Sequence, residues 1–549
     1  MLILTTINFL ILISIFGYSY ILKRLLLNKK DILIKNLDLI YGIFFLYLIS
    51  LIFHLFVPLE KISKFVIFVG ILISVIIFLK DKMRISLFKY FLVVFLFSII
   101  AYYGKNNVDS PLYHLQLVKW LTEFKLTFGL ANLGVRLGLN YPWYSLISIL
   151  NFEYNFFSNK YYISLIIFSF IFYELIDQRK YNYSKIFLSL CFCYLLLFSL
   201  IHPYNYGVIL NHFGNPEKDL INMLLFFLVV YIFIKINENQ NNPEYLGSNK
   251  NLISIFLICC TFLLMQMPIY GLIIILLFFI YLKIIKIKDY SFLIFFLFIV
   301  ITFWTLKSVA LNGCLVYPIA VTCLNTDWTI DLETINFYYN ETKRYSRSLP
   351  SLEFVNDHYK TLETFLWFKP WFKNYYLTTA LHQINSFIFI FSFFIIFYLV
   401  KIKNFLIYNY EILLIFIIFF VNLLCIIMIP EIRYYWGPHI ALSSVISVFI
   451  IRALNLKFLE KENIFLYSPV FLLCLFIFIK VLPMMSFDDI YKLPIRNHDY
   501  SNKTKIGNYN GYDFYTNAWI CADISEICVN IPKEKYDLRN IKSYLFVYK

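Results

Sequence analysis

The sequence predicts an all-α polytopic membrane protein, and three observations carry that prediction. Of its 549 residues only 15% are charged and 61% are hydrophobic. A soluble domain carries about 25% charged residues, so this chain lacks the charge to cover a soluble surface. Mean hydropathy is +0.72, and apolar runs of roughly 15–22 residues recur from Met1 nearly to Val481, long enough to cross a bilayer as helices. Lys and Arg fall in short clusters between those runs, which is a topology signal of membrane proteins. Phe (61) and Tyr (45) are abundant while Gly (15) and Pro (16) are scarce, which excludes disorder, collagen and a small disulfide scaffold. In a soluble protein the net charge of +15 would point to nucleic acid. Here the basic residues are topological, and no zinc-finger, RNP or basic-helix pattern accompanies them, so no nucleic-acid partner is expected.

The elements follow in order. Residues 2–22 are apolar, and the positive charges Lys23, Arg24, Lys29, Lys30 and Lys35 come after them. A secretory signal has the reverse order, so an uncleaved first helix with its N-terminus outside is expected. Fourteen spans then emerge at 2–22, 39–57, 65–79, 88–103, 161–176, 184–201, 219–235, 251–267, 269–282, 290–306, 385–400, 407–428, 438–452 and 464–480. Nearly every short basic loop then falls on one side, as the positive-inside rule requires. Residues 141–157 contain Asn151, Glu153 and Asn155 and are rich in aromatics. Counted as a span, they would put the basic loop at 177–185 outside. They read instead as an interfacial helix. The outer side receives 104–160, 202–218, roughly 307–384, and the tail. Loops of this length are commonly functional. The organisation is thus a transmembrane domain, 1–480, and an extracytoplasmic C-terminal tail, 481–549. The spans are expected to lack buried Asp, Glu, Lys and Arg.

Six of the ten cysteines lie in spans, where they act as small hydrophobes. The other four form two close pairs in outer segments, Cys314/Cys323 and Cys521/Cys528. Paired cysteines in an oxidising compartment suggest disulfides. Neither pair has a companion CxxC or His cluster, so no zinc site is expected.

Candidate chemistry sits at three junctions. Asp109 follows the fourth span, with Ser110 and Pro111 reading as N-cap and first helical residue. In the helix expected there, Gln116, Lys119 and Glu123 share one face, and His114, Leu117, Val118 and Leu121 the other. That is an amphipathic helix at the outer surface. Asp109 could take a proton from an attacking hydroxyl or simply begin a surface helix. His114, about one turn on, and Arg136 could hold a phosphate; each could equally be an ordinary polar contact or headgroup anchor. Glu217 and Asp219, with His202 and His212 nearby, could bind a divalent cation, although the spacing matches no established metal motif and solvated loop-end charges fit as well. In PEIRYYWGPHIAL, Glu431 and Arg433 sit at the edge of the hydrocarbon beside Tyr434, Tyr435 and Trp436. Arg433 could clamp phosphate oxygens or snorkel to the interface. No P-loop, GxSxG, HExxH or Rossmann fingerprint occurs.

With Asp109 after a span, helices at 110–128 and 141–157, and Arg433, Tyr434 and Pro438 at a late junction, the chain resembles the GT-C superfamily of multi-spanning glycosyltransferases. The Arg-Tyr-Pro run has one more intervening residue than the motif it resembles. More narrowly, the run from Asp109 through Tyr113, His114 and Trp120, followed by GLANLGVRLG and GCLVYP…TC, resembles a family of bacterial membrane proteins associated with surface-polysaccharide loci. The resemblance implies a GT-C-like bundle in the bacterial cytoplasmic membrane, with its active site facing outward. It also implies transfer of a sugar from a polyprenyl-phosphate-linked donor to a glycan or lipid acceptor. Asp109 would be the base, and His114, Arg136, Glu217, Asp219, Arg433 and Tyr434 would bind substrate. A flippase for polysaccharide units and an O-antigen-type polymerase are the competing readings. Donor sugar, acceptor and metal requirement are not legible.

Overall fold

The computed structural model describes residues 1–27, 33–80, 85–104, 109–152, 162–176, 182–201, 212–213, 215–240, 246–271, 290–348, 365–373, 409–453, 464–486, 489, 504–509, 512–516, 527–528, 537–541 and 544–548. Its helices in chain order are α1 (Leu2–Leu27), α2 (Leu39–Phe53), α3 (Glu60–Leu79), α4 (Leu87–Tyr102), α5 (Leu115–Glu123), α6 (Pro142–Ile149), α7 (Ser164–Ile176), α8 (Tyr183–Ile201), α9 (Asp219–Gln240), α10 (Leu246–Gln266), α11 (Ser291–Asn312), α12 (Leu332–Ser348), α13 (Asn409–Met428), α14 (Trp436–Ala453) and α15 (Ile464–Phe476). Among the described residues, 7 helical segments are long and apolar enough to cross a membrane, and five shorter apolar helices accompany them. Together they fall on twelve of the fourteen expected spans. Expected spans 269–282, beyond Gly271, and 385–400 lie outside the described residues.

Close packing of α1 is set by small residues. A Cβ added to Gly17 would collide with the Gly70 carbonyl of α3, and one added to Gly42 would collide with the Ile15 carbonyl. Without side chains at these points the backbones approach, as is usual between membrane helices. Polar groups then bond across the seam: Tyr18 Oη donates to Val66 O at 2.7 Å and Ser74 Oγ to Ile13 O at 2.5 Å.

The two ends of the bundle carry different polar networks. At one end, Lys23 pairs with Asp38 at 2.6 Å, and Asn251 donates to Asp38 at 2.9 Å. Beside them Glu174 accepts from Asn36, Tyr231 and Lys235 at 3.0, 2.8 and 3.0 Å. At the other end, the Met1 amine donates to Asp489 O at 2.9 Å, and Tyr102 and Tyr103 donate to the Asp489 carboxylate at 3.2 and 2.7 Å. The Met1 end also receives the last turn of α11, where Gly129 N, from the loop after α5, donates to Ala310 O at 2.8 Å. It receives the tail as well, through Phe128 N bonded to Leu545 O at 2.9 Å.

Four expectations need correction. The spans are not free of charge: Glu174, within the expected span 161–176, is 2% exposed, and so is Lys307, one residue beyond the expected span 290–306 but inside α11. Both sit near helix ends with polar partners, Lys307 donating to Ser145 at 2.9 Å, which offsets their desolvation. The helix after Asp109 is a π-turn, Ser110–His114, continued by α5, and Leu115–Thr122 are all buried. It is amphipathic by sequence but enclosed on its polar face too, by α6 and the rest of the bundle. Of 141–157, residues 142–149 form α6, buried throughout, and 153–157 lie outside the described residues. Eight residues rise about 12 Å, too little to span a bilayer. The all-α class, finally, does not extend to the tail, whose described residues include strands. The tail carries β1 (Thr504–Tyr509) antiparallel to β2 (Tyr512–Thr516), β3 (Ile527–Cys528) parallel to β2, and a separate hairpin of β4 (Asp537–Ile541) and β5 (Tyr544–Tyr548).

The glycine seam is testable. Gly70→Leu forces a branched side chain against Ser14 and Tyr18 of α1, and overpacking of this kind costs about 1–3 kcal/mol. The purified variant should melt several degrees lower in detergent, while Leu72→Ala on the exposed face of α3 should melt near wild type. Equal melting of the two would refute the seam.

Candidate active site

Asp109 caps the first turn of the helix it begins. The sequence assigned that role to Ser110, and the shift by one residue matters. The Asp109 carboxylate makes no capping bond, while Ser110 Oγ donates to Asn215 Oδ1 at 2.8 Å. Asp109 meets Arg433, 324 positions away, whose Nη1 donates to Asp109 Oδ2. The Nε of the same guanidinium lies 2.5 Å from Glu431 Oε1 as an ion pair, and all three side chains are 16–20% exposed. One cation thus serves two carboxylates. Arg433 comes from a short 3-10 turn, Ile432–Tyr434, between α13 and α14, and its guanidinium lies 5.1 Å from the Tyr434 ring.

Neighbouring loops brace this junction. Arg347 of α12 donates to Ile427 O at 3.0 Å and lies 4.7 Å over Trp367. Trp371 Nε1 donates to Pro430 O at 2.9 Å, next to Glu431. Arg136 lies 4.9 Å from the Tyr113 ring and 6.0 Å from Tyr338 of α12. Cys314 and Cys323 are joined by a disulfide. Within that closed loop Tyr317 Oη donates to Val135 O at 2.7 Å, so the loop steadies the residue beside Arg136. Cys521 lies outside the described residues, so the second expected pair is not described.

The second expected cluster joins the first. Lys218 Nζ sits 3.4 Å above the Tyr141 ring. Asp219, at the first position of α9, is within electrostatic reach of Arg433, Lys218 and Asp109. His212 contacts Glu217 and packs edge-on to Trp436 at 4.7 Å between ring centres. His202 lies outside the described residues. Among the described residues no group of three or more His, Cys, Asp or Glu side chains could hold a metal ion.

Burial and charge set the protonation states. Burial alone would raise the Asp109 carboxyl, but Arg433, with smaller help from His114 and Arg136, holds it below the usual range. Burial pushes Glu431 up to about 7 against the pull of the same arginine. Burial takes His114 down to about 3 despite Asp109, so at neutral pH it is an uncharged imidazole and not the cation a phosphate contact would want. Lys218 is lowered to about 8, again by burial. Sequence reasoning placed Asp109, Arg433, His114, Arg136, Asp219 and Tyr434 among the candidates, and the fold brings them together. It named Glu431 beside Arg433 without giving it a role, and it did not single out Lys218, the neighbour of Asp219.

Taken together, these features define a polytopic helical membrane protein with a partly buried ion-pair site at one end of its bundle. The chain belongs to the family described as Domain of unknown function (DUF8201), whose family model matches residues 1–440. That match contains Asp109 and Arg433 and ends within the first turn of α14. No curated protein and no solved structure matches the chain.

The shared arginine predicts strong coupling. Asp109→Ala leaves Arg433 with Glu431 and the electrostatic reach of Asp219, and because the pair is only partly buried the loss should fall below the about 3–5 kcal/mol of a fully buried pair. Asp109→Ala combined with Arg433→Leu should be less destabilised than the sum of the two single variants, by at least about 1 kcal/mol. Additive effects in denaturant melts of the four proteins would contradict the pairing.

Proposed function

We propose that the chain is an integral membrane glycosyltransferase that moves a sugar from a polyprenyl-phosphate-linked donor to a glycan or lipid acceptor. The observation that carries this reading is the ion pair between Asp109 and Arg433. It joins the loop after α4 to the junction before α14, the two places where GT-C-like chemistry needs a base and a phosphate clamp. The Met1 end is the extracytoplasmic face, and the chain crosses the membrane fourteen times. Two placements support that count. Tyr270 lies near Asp219 at the Met1 end, whereas Tyr290 lies 5.9 Å from Lys250 at the opposite end. Trp371 bonds Pro430 at the Met1 end, and α13 reaches that same end at Met428.

In the resting site Arg433 holds Asp109 as an inert ion pair. The donor phosphate is a stronger, bidentate partner for the guanidinium. When it takes Arg433, Asp109 loses its cation, its carboxyl rises, and it becomes a usable base. The acceptor hydroxyl then gives its proton to Asp109 while its oxygen attacks the anomeric carbon. The bond from that carbon to the phosphate oxygen breaks, and the electron pair leaves on the lipid phosphate. Arg433 balances the charge that develops there. Attack opposite the leaving group inverts the anomeric carbon. A flippase is the second reading. Charges placed mid-span would favour it, but Glu174 and Lys307 lie within about two turns of helix ends.

Two outcomes test the chemistry. Asp109→Asn keeps the size but cannot accept the proton. It should abolish transfer by the purified enzyme, a loss of about 10²-fold or more, while donor binding persists. Near-normal turnover would exclude Asp109 as base. Arg433→Lys keeps charge but loses the planar fork and should weaken donor binding, whereas unchanged kinetics would reduce Arg433 to an anchor.

Glu431 adds a pH signature. Below about 7 it is neutral, and above about 7 it ionises and competes with donor phosphate for Arg433. A phosphodiester keeps one negative charge throughout, so donor affinity should fall as pH rises through neutrality. Glu431→Gln should flatten that fall. A fall of unchanged size in the variant would place the titrating group elsewhere.

A further inference from the structure

Buried polar atoms in folded proteins are almost always hydrogen-bonded, and each exception calls for an explanation. Among the described residues several such exceptions fall at the Met1 end, and five of them concern one region: His114 Nδ1, Tyr144 Oη, Asp219 Oδ1, both side-chain polar atoms of Asn222, and Trp436 Nε1 have no hydrogen-bond partner. Their residues are 0–6% exposed. They come from four separate stretches of chain, and His114, Tyr144 and Asp219 lie within electrostatic reach of Asp109. The His114 and Tyr144 rings are 5.6 Å apart. Asp219 lies within electrostatic reach of Tyr144 and Tyr141. Asn222 is three residues along α9 from Asp219 and so shares its helix face. Trp436 precedes Gly437, which packs directly on Met223 and Phe226 of α9.

The chemistry of the unmet demand is specific. It contains donors (the Tyr144 hydroxyl, the Trp436 indole N–H, the Asn222 amide) and acceptors (the Asp219 carboxylate, the Asn222 carbonyl). His114 can serve as either, and the Tyr141 and Tyr144 rings add flat apolar faces. A phosphate would use only the donors, and a lipid tail would use none of these atoms. A ring bearing several hydroxyls, each donor and acceptor at once, uses all of them. We infer that Tyr144, Asp219 and Asn222, flanked by His114 and Trp436, form a subsite for a polyhydroxylated ring, the sugar portion of a ligand whose phosphate meets Arg433. This rests on the glycosyltransferase reading and deepens it by naming the residues that read the sugar. Asp219 and Asn222 recognise hydroxyls here, and Asp109 retains the proton transfer.

The test uses the full-length protein in detergent and two kinds of probe. One is methyl farnesyl phosphate, which offers the phosphodiester alone. The other is a panel of farnesyl phosphoryl hexoses: glucose, galactose, mannose and N-acetylglucosamine. Wild type should bind at least one hexose conjugate about tenfold more tightly than the methyl ester, as expected when a buried charged acceptor and an amide gain partners. Asp219→Asn and Asn222→Leu should each remove most of that increment, and Asn222→Leu, which changes no charge beside Arg433, should leave methyl ester binding unchanged. Removing an orphaned polar group is near neutral or stabilising, so ligand-free Asn222→Leu should melt at or above wild type. A lower melting point with the sugar increment intact would assign Asn222 a structural role and overturn the proposal. Binding of the methyl ester with no increment for any hexose would overturn the sugar subsite alone. Failure of wild type to bind either probe would overturn the phosphate reading beneath it, and the subsite with it.

Discussion

One arginine held between two carboxylates is the constraint around which the Met1 end is arranged. Arg433 cannot lose its proton, so burying it at the mouth of the bundle obliges the fold to bring negative charge to it. Glu431 is supplied from two residues away and Asp109 from the far side of the sequence. Satisfying that demand docks the first long loop onto the α13–α14 junction. It also explains why Asp109 abandons the capping bond that its helix would otherwise offer it. The strap formed by α12 and the turn at Phe368–Trp371 then fixes Pro430, and with it the direction from which Arg433 enters.

The opposite end supplies the rigidity against which such a site can work. Asp38, Glu174 and their partners Lys23, Asn251, Asn36, Tyr231 and Lys235 tie α1, α7, α9 and α10 together through fully partnered charges. A satisfied polar network specifies one arrangement of neighbours, and the glycine contacts between α1 and α3 set how closely those helices lie. The Met1 end differs. Polar atoms on His114, Tyr144, Asp219 and Asn222 are left unmet there, and functional sites are where a fold carries such costs.

The spans were legible because apolar length alone separates a membrane helix from a loop, and α1, α3 and α9 are each long and apolar enough to cross a membrane. The pairing of Cys314 with Cys323 was legible from their closeness in sequence. The enclosure of Gln116 and Lys119 was not. An amphipathic pattern names the apolar face of a helix, but what covers the polar face depends on elements far away in the chain, here α6 and the bundle. Glu174 escaped notice for the same reason, since its partners Asn36, Tyr231 and Lys235 come from two other elements. The strands of the tail are short, and their pattern was hidden beside the stronger signal of the spans. Arg433 and Asp109 were each visible as charges at a membrane edge, but no local rule joins residues separated by 324 positions.

The central claim is an exchange of partners: Arg433 leaves Asp109 when a phosphodiester arrives. The direct measurement is a structure of the full-length protein in a lipid nanodisc, determined with and without a short isoprenoid phosphodiester. The account predicts that the Asp109–Arg433 pair is closed without the ligand. With it, the guanidinium should lie within hydrogen-bond distance of the phosphate oxygens and the Asp109 carboxylate should be released toward Tyr144 and Asp219. A phosphate bound elsewhere, with the Asp109–Arg433 pair still closed, would contradict it.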